Sequence, residues 1–262
     1  MKTAELGDIR LHYRIDGPED GAPVVFANSL GTDMRLWDPI LSLLPQEYRY
    51  IRFDKRGHGL STCPLAPYTM GALVTDTERL LDQLGVRDCV FVGLSVGGMI
   101  AQGLAVKRLD LVRAMVLSNT GAKIGNRAMW DERIDAVRKG GIESLADAVM
   151  ERWFSKAFRA TPELELWRNM LTRQEDQGYM GCSAAISHTD FYATTASLRL
   201  PTLGIAGSED GATPPDLVRE TVNLIPGSQF HLIRNAGHLP CVEKPEEYAQ
   251  VLTDFLRKVG HG

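Results

Sequence analysis

Gly93-Leu94-Ser95-Val96-Gly97 sets a serine between two glycines, directly after the apolar run Cys89-Val90-Phe91-Val92. A serine hydroxyl attacks a carbonyl carbon only when a neighbouring base takes its proton. It must also project clear of the backbone, which the G-x-S-x-G spacing provides on a sharp, strained strand-to-helix turn. Strand and helix close tightly there, so only glycine fits two positions to either side. The free N–H groups at the start of the following helix would favour negative charge, and the Val96 N–H is a natural oxyanion donor. The competing reading is a plain turn that happens to use small residues.

A nucleophile needs a base and an orienting acid. Of six histidines, His12 and His231 fall in strand patterns, and His261 lies in the C-terminal tail. His238 sits in Arg234-Asn-Ala-Gly-His-Leu-Pro-Cys241, a loop between the last strand and the last helix, and is the expected base. Strand ends of an open α/β sheet gather such loops around a crevice. The loop after Pro201-Thr-Leu-Gly-Ile-Ala-Gly207 offers two acids, Glu209 and Asp210. Asp210 lies further from the strand end and is preferred, with Glu209 the alternative. The order Ser95, Asp210, His238 is the one expected of an α/β fold with its serine on such a strand–turn–helix elbow.

The elements that must carry these residues alternate. Ile9, Leu11, Tyr13 and Ile15 alternate with polar residues as in a half-buried strand. Residues 24–28, 48–54, 88–93 and 111–119 read as further strands. Met70, Leu73, Val74, Thr77, Leu80, Leu81 and Leu84 share one helical stripe ended by Gly85, and 97–107 reads as a second helix. This rhythm predicts an α/β fold with a mostly parallel sheet. It stops near Gly121. From about Asn126 to Ala196 the pattern is helical and holds Trp130, Trp153 and Trp167. Strands return at 201–207 and 229–235, and a final helix starts at Pro245. The expected division is a core over 1–123, a helical insertion over 124–196 and the rest of the core over 197–262.

With 262 residues and 44% hydrophobic composition, the chain can bury a large core. Its net charge of -4 gives no basic footprint for nucleic acid, and no basic cluster suggests a membrane surface. No apolar stretch approaches a membrane span, and the start lacks a secretory signal pattern. Cys63, Cys89, Cys182 and Cys241 have no metal-ligand spacing and are expected reduced. A soluble, cytoplasmic protein with no metal and no cofactor is expected, and the oligomeric state stays open.

The segments 54–61 (DKRGHGLS), 93–98 (GLSVGG), 207–214 (GSEDGATP) and 235–248 (NAGHLPCVEKPEEY) together resemble the α/β-hydrolase fold family over essentially the whole chain. The resemblance implies an eight-stranded, mostly parallel sheet with helices on both faces and a helical cap inserted after the sixth strand. It also implies a structural role for His58 and a second oxyanion donor, the Leu30 N–H, in Asn28-Ser-Leu-Gly-Thr32. Many relatives carry His-Gly where this chain has Asn28-Ser29.

Residues 26–39 and 178–191 are further similar to 3-oxoadipate enol-lactonases, which implies a small anionic lactone as substrate partner. Ser29, Trp130, Arg133 and His188 are the candidate contacts for it. Trp130 and Arg133, three apart on a helix, would share a face. They read equally as cap core and a solvated charge. A carboxylesterase, a C–C hydrolase of meta-cleavage type and a slow small-molecule receptor are the rival readings.

Overall fold

The computed structural model describes residues 1–262. In chain order the elements are β1 (Lys2–Glu5), β2 (Arg10–Asp16), β3 (Pro23–Ala27), α1 (Asp38–Leu41), β4 (Arg49–Phe53), α2 (Met70–Gln83), β5 (Cys89–Leu94), α3 (Val96–Lys107) and β6 (Val112–Ser118). The helices α4 (Arg127–Gly140), α5 (Ala146–Trp153), α6 (Leu164–Thr172), α7 (Asp176–Ser187) and α8 (Tyr192–Thr195) follow without a strand. The core resumes with β7 (Thr202–Gly207), α9 (Pro215–Asn223), β8 (Gln229–Ile233), α10 (Pro240–Glu243) and α11 (Pro245–Lys258).

The eight strands form one sheet in the order β1-β2-β4-β3-β5-β6-β7-β8. Pairing is antiparallel from β1 through β2 to β4 and parallel across the rest. The central strands β5 and β7 are buried along their whole length. Covered on both faces, they read as continuous apolar runs rather than alternating ones. β1 escapes the sequence reading because, of Lys2-Thr-Ala-Glu5, only Ala4 is buried. Such a short charged strand gives no apolar signal, and it suits an edge that must not recruit another chain.

The α2 stripe is as expected: Leu73, Leu80 and Leu81 pack inward and Thr69 caps the first turn by accepting from Ala72 N–H. Gly85 follows at φ +64, the left-handed conformation that ends a helix. The helices of the insertion all lie within residues 124–196, and Asn126 caps α4 by accepting from Met129 N–H. No helix is long and apolar enough to cross a membrane. The four cysteines are free thiols, and all but Cys63 are buried.

Candidate active site

The six parallel strands, β3 to β8, end on one side of the sheet, and the segments after β3, β5, β6, β7 and β8 carry the predicted residues. Ser95 lies between β5 and α3 at φ 58 and ψ -118. A side chain in that region is strained by about 1–3 kcal/mol, a cost that the surrounding packing must hold. The packing is visible at the flanking glycines. A Cβ on Gly93 would come within 2.2 Å of Gly97 O, and one on Gly97 within 2.1 Å of Ala27 O. Because Ala27 O is backbone, Gly97→Ala must push α3 away from β3. We expect a cost of about 1–3 kcal/mol, read as a Tm lowered by several degrees. An unchanged Tm would show that the elbow is less tightly closed. Thr120 Oγ1 donates to Ser95 O at 2.6 Å and fixes the turn from the β6 side.

Asp210 and His238 meet as the sequence predicts. His238 Nδ1 lies 2.9 Å from Asp210 Oδ2, and both side chains are buried. Asp210 Oδ2 also accepts from Asn119 Nδ2 at 2.8 Å and from Thr213 Oγ1 at 2.7 Å. Its Oδ1 accepts from the N–H groups of Ala212 and Thr213 at 2.7 and 3.0 Å. Burial pushes the Asp210 pKa up, but His238 and these donors outweigh it and hold the carboxyl below its ordinary range. An ionised carboxylate only accepts, so the imidazole proton belongs on Nδ1 and Nε2 presents its lone pair. That nitrogen lies 3.4 Å from Ser29 Oγ in this structure. Glu209 takes no part: it is exposed, and its carboxylate accepts from Lys156 N–H.

The loop after β3 is pinned by its own side chains. Asn28 Nδ2 donates to Phe53 O at 2.9 Å, and Trp37 Nε1 donates to Asn28 Oδ1 at 2.7 Å. Gly31 N–H donates to His58 Nε2 at 3.0 Å. Burial first, and then the charge of Lys55, hold the His58 pKa well below its usual value, so the ring stays neutral and can accept. His58 is thus a buttress of this loop. The Leu30 N–H has no acceptor within the protein. Val96, as the first residue of α3, likewise lacks an intrahelical acceptor for its N–H.

Ser95, Ser29, Leu30 and His238 line a chamber of about 100 Å³ roofed by the helical insertion. Trp130 and Arg133 line it too, with the guanidinium carbon 4.7 Å from the centre of the indole ring. Arg152 and Tyr179 complete its polar wall. No carboxylate pairs with either arginine. Burial, and then the charge of Arg133, lower the pKa of Arg152, as expected of two cations facing one small space.

His188 is a correction. It is exposed at the end of α7 and lines a separate cleft of about 830 Å³ with Tyr68, Met70 and Phe191. Tyr179 on the same helix does reach the chamber, but His188 lies nine residues on, roughly 13 Å along the axis. Another cleft, of about 810 Å³, borders β2 and contains none of the three central residues.

The sequence reading missed Asn119, Thr213, Arg152 and Tyr179. Asn119 had a usable signal, since it ends a predicted strand on the same side as the other loops. Arg152 had none, because a basic residue on an amphipathic helix normally reads as solvated.

The insertion also touches the loops that carry Asp210 and His238 through its backbone. Gly211 N–H donates to Arg152 O at 3.1 Å, and His238 N–H donates to Trp153 O at 2.7 Å. Next to them, the half-buried Glu243 carboxylate accepts from the N–H groups of Gly237 and Ser155.

The model of the Alpha/beta hydrolase family matches residues 24–251. The chain belongs to the alpha/beta hydrolase family. Among characterised alpha/beta hydrolases it is 30% identical to 3-oxoadipate enol-lactonase 2 of Acinetobacter baylyi, covering 98% of this chain and 96% of that one. It is 32% identical to 3-oxoadipate enol-lactonase 1 of the same organism, over 95% and 94%. The crystal structure of the enol-lactonase from Burkholderia xenovorans LB400 superposes with a TM-score of 0.94 at 33% identity, covering 98% of this chain and all of that one. These likenesses agree with the resemblance seen in residues 26–39 and 178–191, and with hydrolase chemistry in an eight-stranded alpha/beta hydrolase sheet.

Proposed function

We propose that this alpha/beta hydrolase opens a small carboxylate-bearing enol-lactone of the 3-oxoadipate type by a Ser95–His238–Asp210 mechanism. The observation that carries the reading is the pair of uncompensated guanidinium groups, Arg133 and Arg152, in a chamber that ends at Ser95 and His238. Both arginines are half-buried, and a partly desolvated charge without a partner is costly, so such a site favours a ligand that brings the missing anion. The names of the relatives support the same substrate class.

In this mechanism His238 Nε2 takes the Ser95 proton as Oγ attacks the lactone carbonyl. Asp210 holds the imidazole with its proton on Nδ1 and stabilises the imidazolium that forms. The oxyanion is received by the N–H groups of Leu30 and Val96. Collapse breaks the ring C–O bond, and the His238 imidazolium gives its proton to the departing enolate, which ketonises while the acyl group stays on Ser95. Water, deprotonated by neutral His238, then attacks the acyl carbonyl, and the bond to Ser95 Oγ breaks as His238 returns the proton to it and the acid is freed. Because an enolate leaves readily, positioning and oxyanion binding carry most of the acceleration.

The test of the substrate class uses Arg133→Gln and Arg152→Gln. A charge-assisted hydrogen bond contributes about 1.5–3 kcal/mol, so each variant should raise KM for the anionic lactone roughly 10- to 100-fold. The kcat should change little, because the carboxylate is held equally in ground and transition states. Neutral esters should lose nothing. Equal KM values for wild type and both variants would remove the arginines from recognition and leave a general carboxylesterase as the better reading.

A further inference from the structure

Lys55 is only 3% exposed, yet it takes no part in the proton transfers proposed above. Its ammonium group reaches the loop after β3 from beneath and donates to Ser29 O at 2.6 Å and to Thr32 O at 3.2 Å. Ser29 O is accordingly crowded with donors, since Thr32 Oγ1 reaches it at 3.0 Å and Thr32 N–H at 3.3 Å. The Ser29–Leu30 peptide is trans, so its C=O and N–H point in opposite directions within one plane. Gripping the oxygen therefore fixes the direction of the Leu30 N–H. Drawing electrons toward that oxygen also makes the N–H a stronger donor, as in any hydrogen-bonded chain. That N–H has no acceptor within the protein, whereas the next one along, the Gly31 N–H, is satisfied by His58.

We propose that Lys55 is a positioning residue for the oxyanion hole, its charge orienting and polarising the Ser29–Leu30 peptide so that the Leu30 N–H meets the developing oxyanion. This rests on the serine mechanism proposed above and adds to it an electrostatic support from outside the chamber.

The surroundings make the support sensitive to pH. Burial lowers the Lys55 pKa to about 8, against smaller opposing effects from Cys182, Asp54 and Asp33. Cys182 and His58, which also face it, hold still in that range. Cys182, on α7, is pushed up to about 12 by burial, so its thiol stays protonated. His58 stays neutral. Asp54 is tied to His12 and to the Met34 and Leu60 N–H groups, and Asp33 to Arg35. As pH rises through about 8, the ammonium loses its charge and its hold on Ser29 O weakens, so kcat should fall on the alkaline side.

The experiment measures kcat and KM between pH 6 and 10 with p-nitrophenyl acetate, a neutral activated ester that needs neither arginine. Wild type, Ser95→Ala, Lys55→Met and Lys55→Arg are compared. Lys55→Met should lower kcat about 10-fold or more, a part of what a whole oxyanion donor contributes. Its KM should stay close to wild type and its alkaline limb should vanish. Lys55→Arg should recover part of the kcat and carry the limb to higher pH. Should Lys55→Met not fold, the position of the limb in Lys55→Arg decides. Ester hydrolysis that depends on Ser95 but keeps wild-type kcat and the same limb in the Lys55 variants overturns this inference alone. Ester hydrolysis indifferent to Ser95 overturns the serine mechanism and this inference together.

Discussion

Ser95→Ala should hydrolyse 3-oxoadipate enol-lactone roughly 10⁴- to 10⁶-fold more slowly than wild type, as loss of a serine nucleophile does elsewhere. Loss of the lactone is followed by ultraviolet absorbance. The effect should be almost entirely in chemistry. Ser95 is buried on an elbow built by Gly93, Gly97 and Thr120, and none of their contacts involves its hydroxyl. Alanine meets the same positive φ as serine, so the fold should keep its wild-type Tm. Ser95→Gly should be just as inactive but slightly more stable, because glycine adopts that backbone without strain. A variant without the hydroxyl that turned over lactone at the wild-type rate would reduce Ser95 to a residue in a tight turn. A wild type that cleaves simple esters but leaves the lactone at its buffer rate would keep the nucleophile and discard the substrate.

Asp210→Asn is the second large loss, about 10³- to 10⁴-fold in kcat, and its cause is the tautomer of His238. Both oxygens of Asp210 receive donors: two N–H groups on Oδ1, and Asn119, Thr213 and His238 on Oδ2. The amide nitrogen of asparagine would face donors on either side. If it turns toward His238 it forces the ring proton onto Nε2, where the lone pair is needed. If it turns away it strands the Ala212 and Thr213 N–H groups.

The same variant should change the acid limb of stability. The Asp210 pKa is depressed in the fold, so its contribution is complete above the unfolded carboxylate pKa and is lost as pH falls through the lower folded value. Wild type should therefore be more stable than Asp210→Asn at pH 7, and the gap should close below about pH 4. Urea midpoints at the two pH values measure it. A gap that stayed constant would mean that the carboxylate is not held ionised by its partners.

The placement of Ser95, Asp210 and His238 at the strand ends was legible because it obeys chain-local rules. The elbow declares itself through Gly93 and Gly97, where an added Cβ would stand only 2.1–2.2 Å from a backbone oxygen. Asp210 and His238 declare themselves by following apolar runs that end on one side of a parallel sheet. What escaped depends on how separate segments meet. Arg152 and His188 are both polar residues on insertion helices, and only packing decides that one faces Ser95 and the other a distant cleft. Lys55 sits between Asp54 and Arg56, where a charge reads as surface, yet it is buried under the β3 loop. β1 was lost for the opposite reason, having too little apolar content to announce a strand.

The backbone links from Arg152 O to Gly211 N–H and from Trp153 O to His238 N–H bear on how this scaffold can diversify. Helical insertions are natural places for lineages to try new specificities, since the sheet beneath can stay unchanged. Here two carbonyls of the insertion also hold the loops that carry Asp210 and His238. A recombinant that exchanged residues 124–196 for another roof would inherit loose acid and base loops unless the incoming segment brought equivalent carbonyls. Viable chimeras should therefore keep α5 and its last two peptide groups, and innovate in α4 and α6–α8.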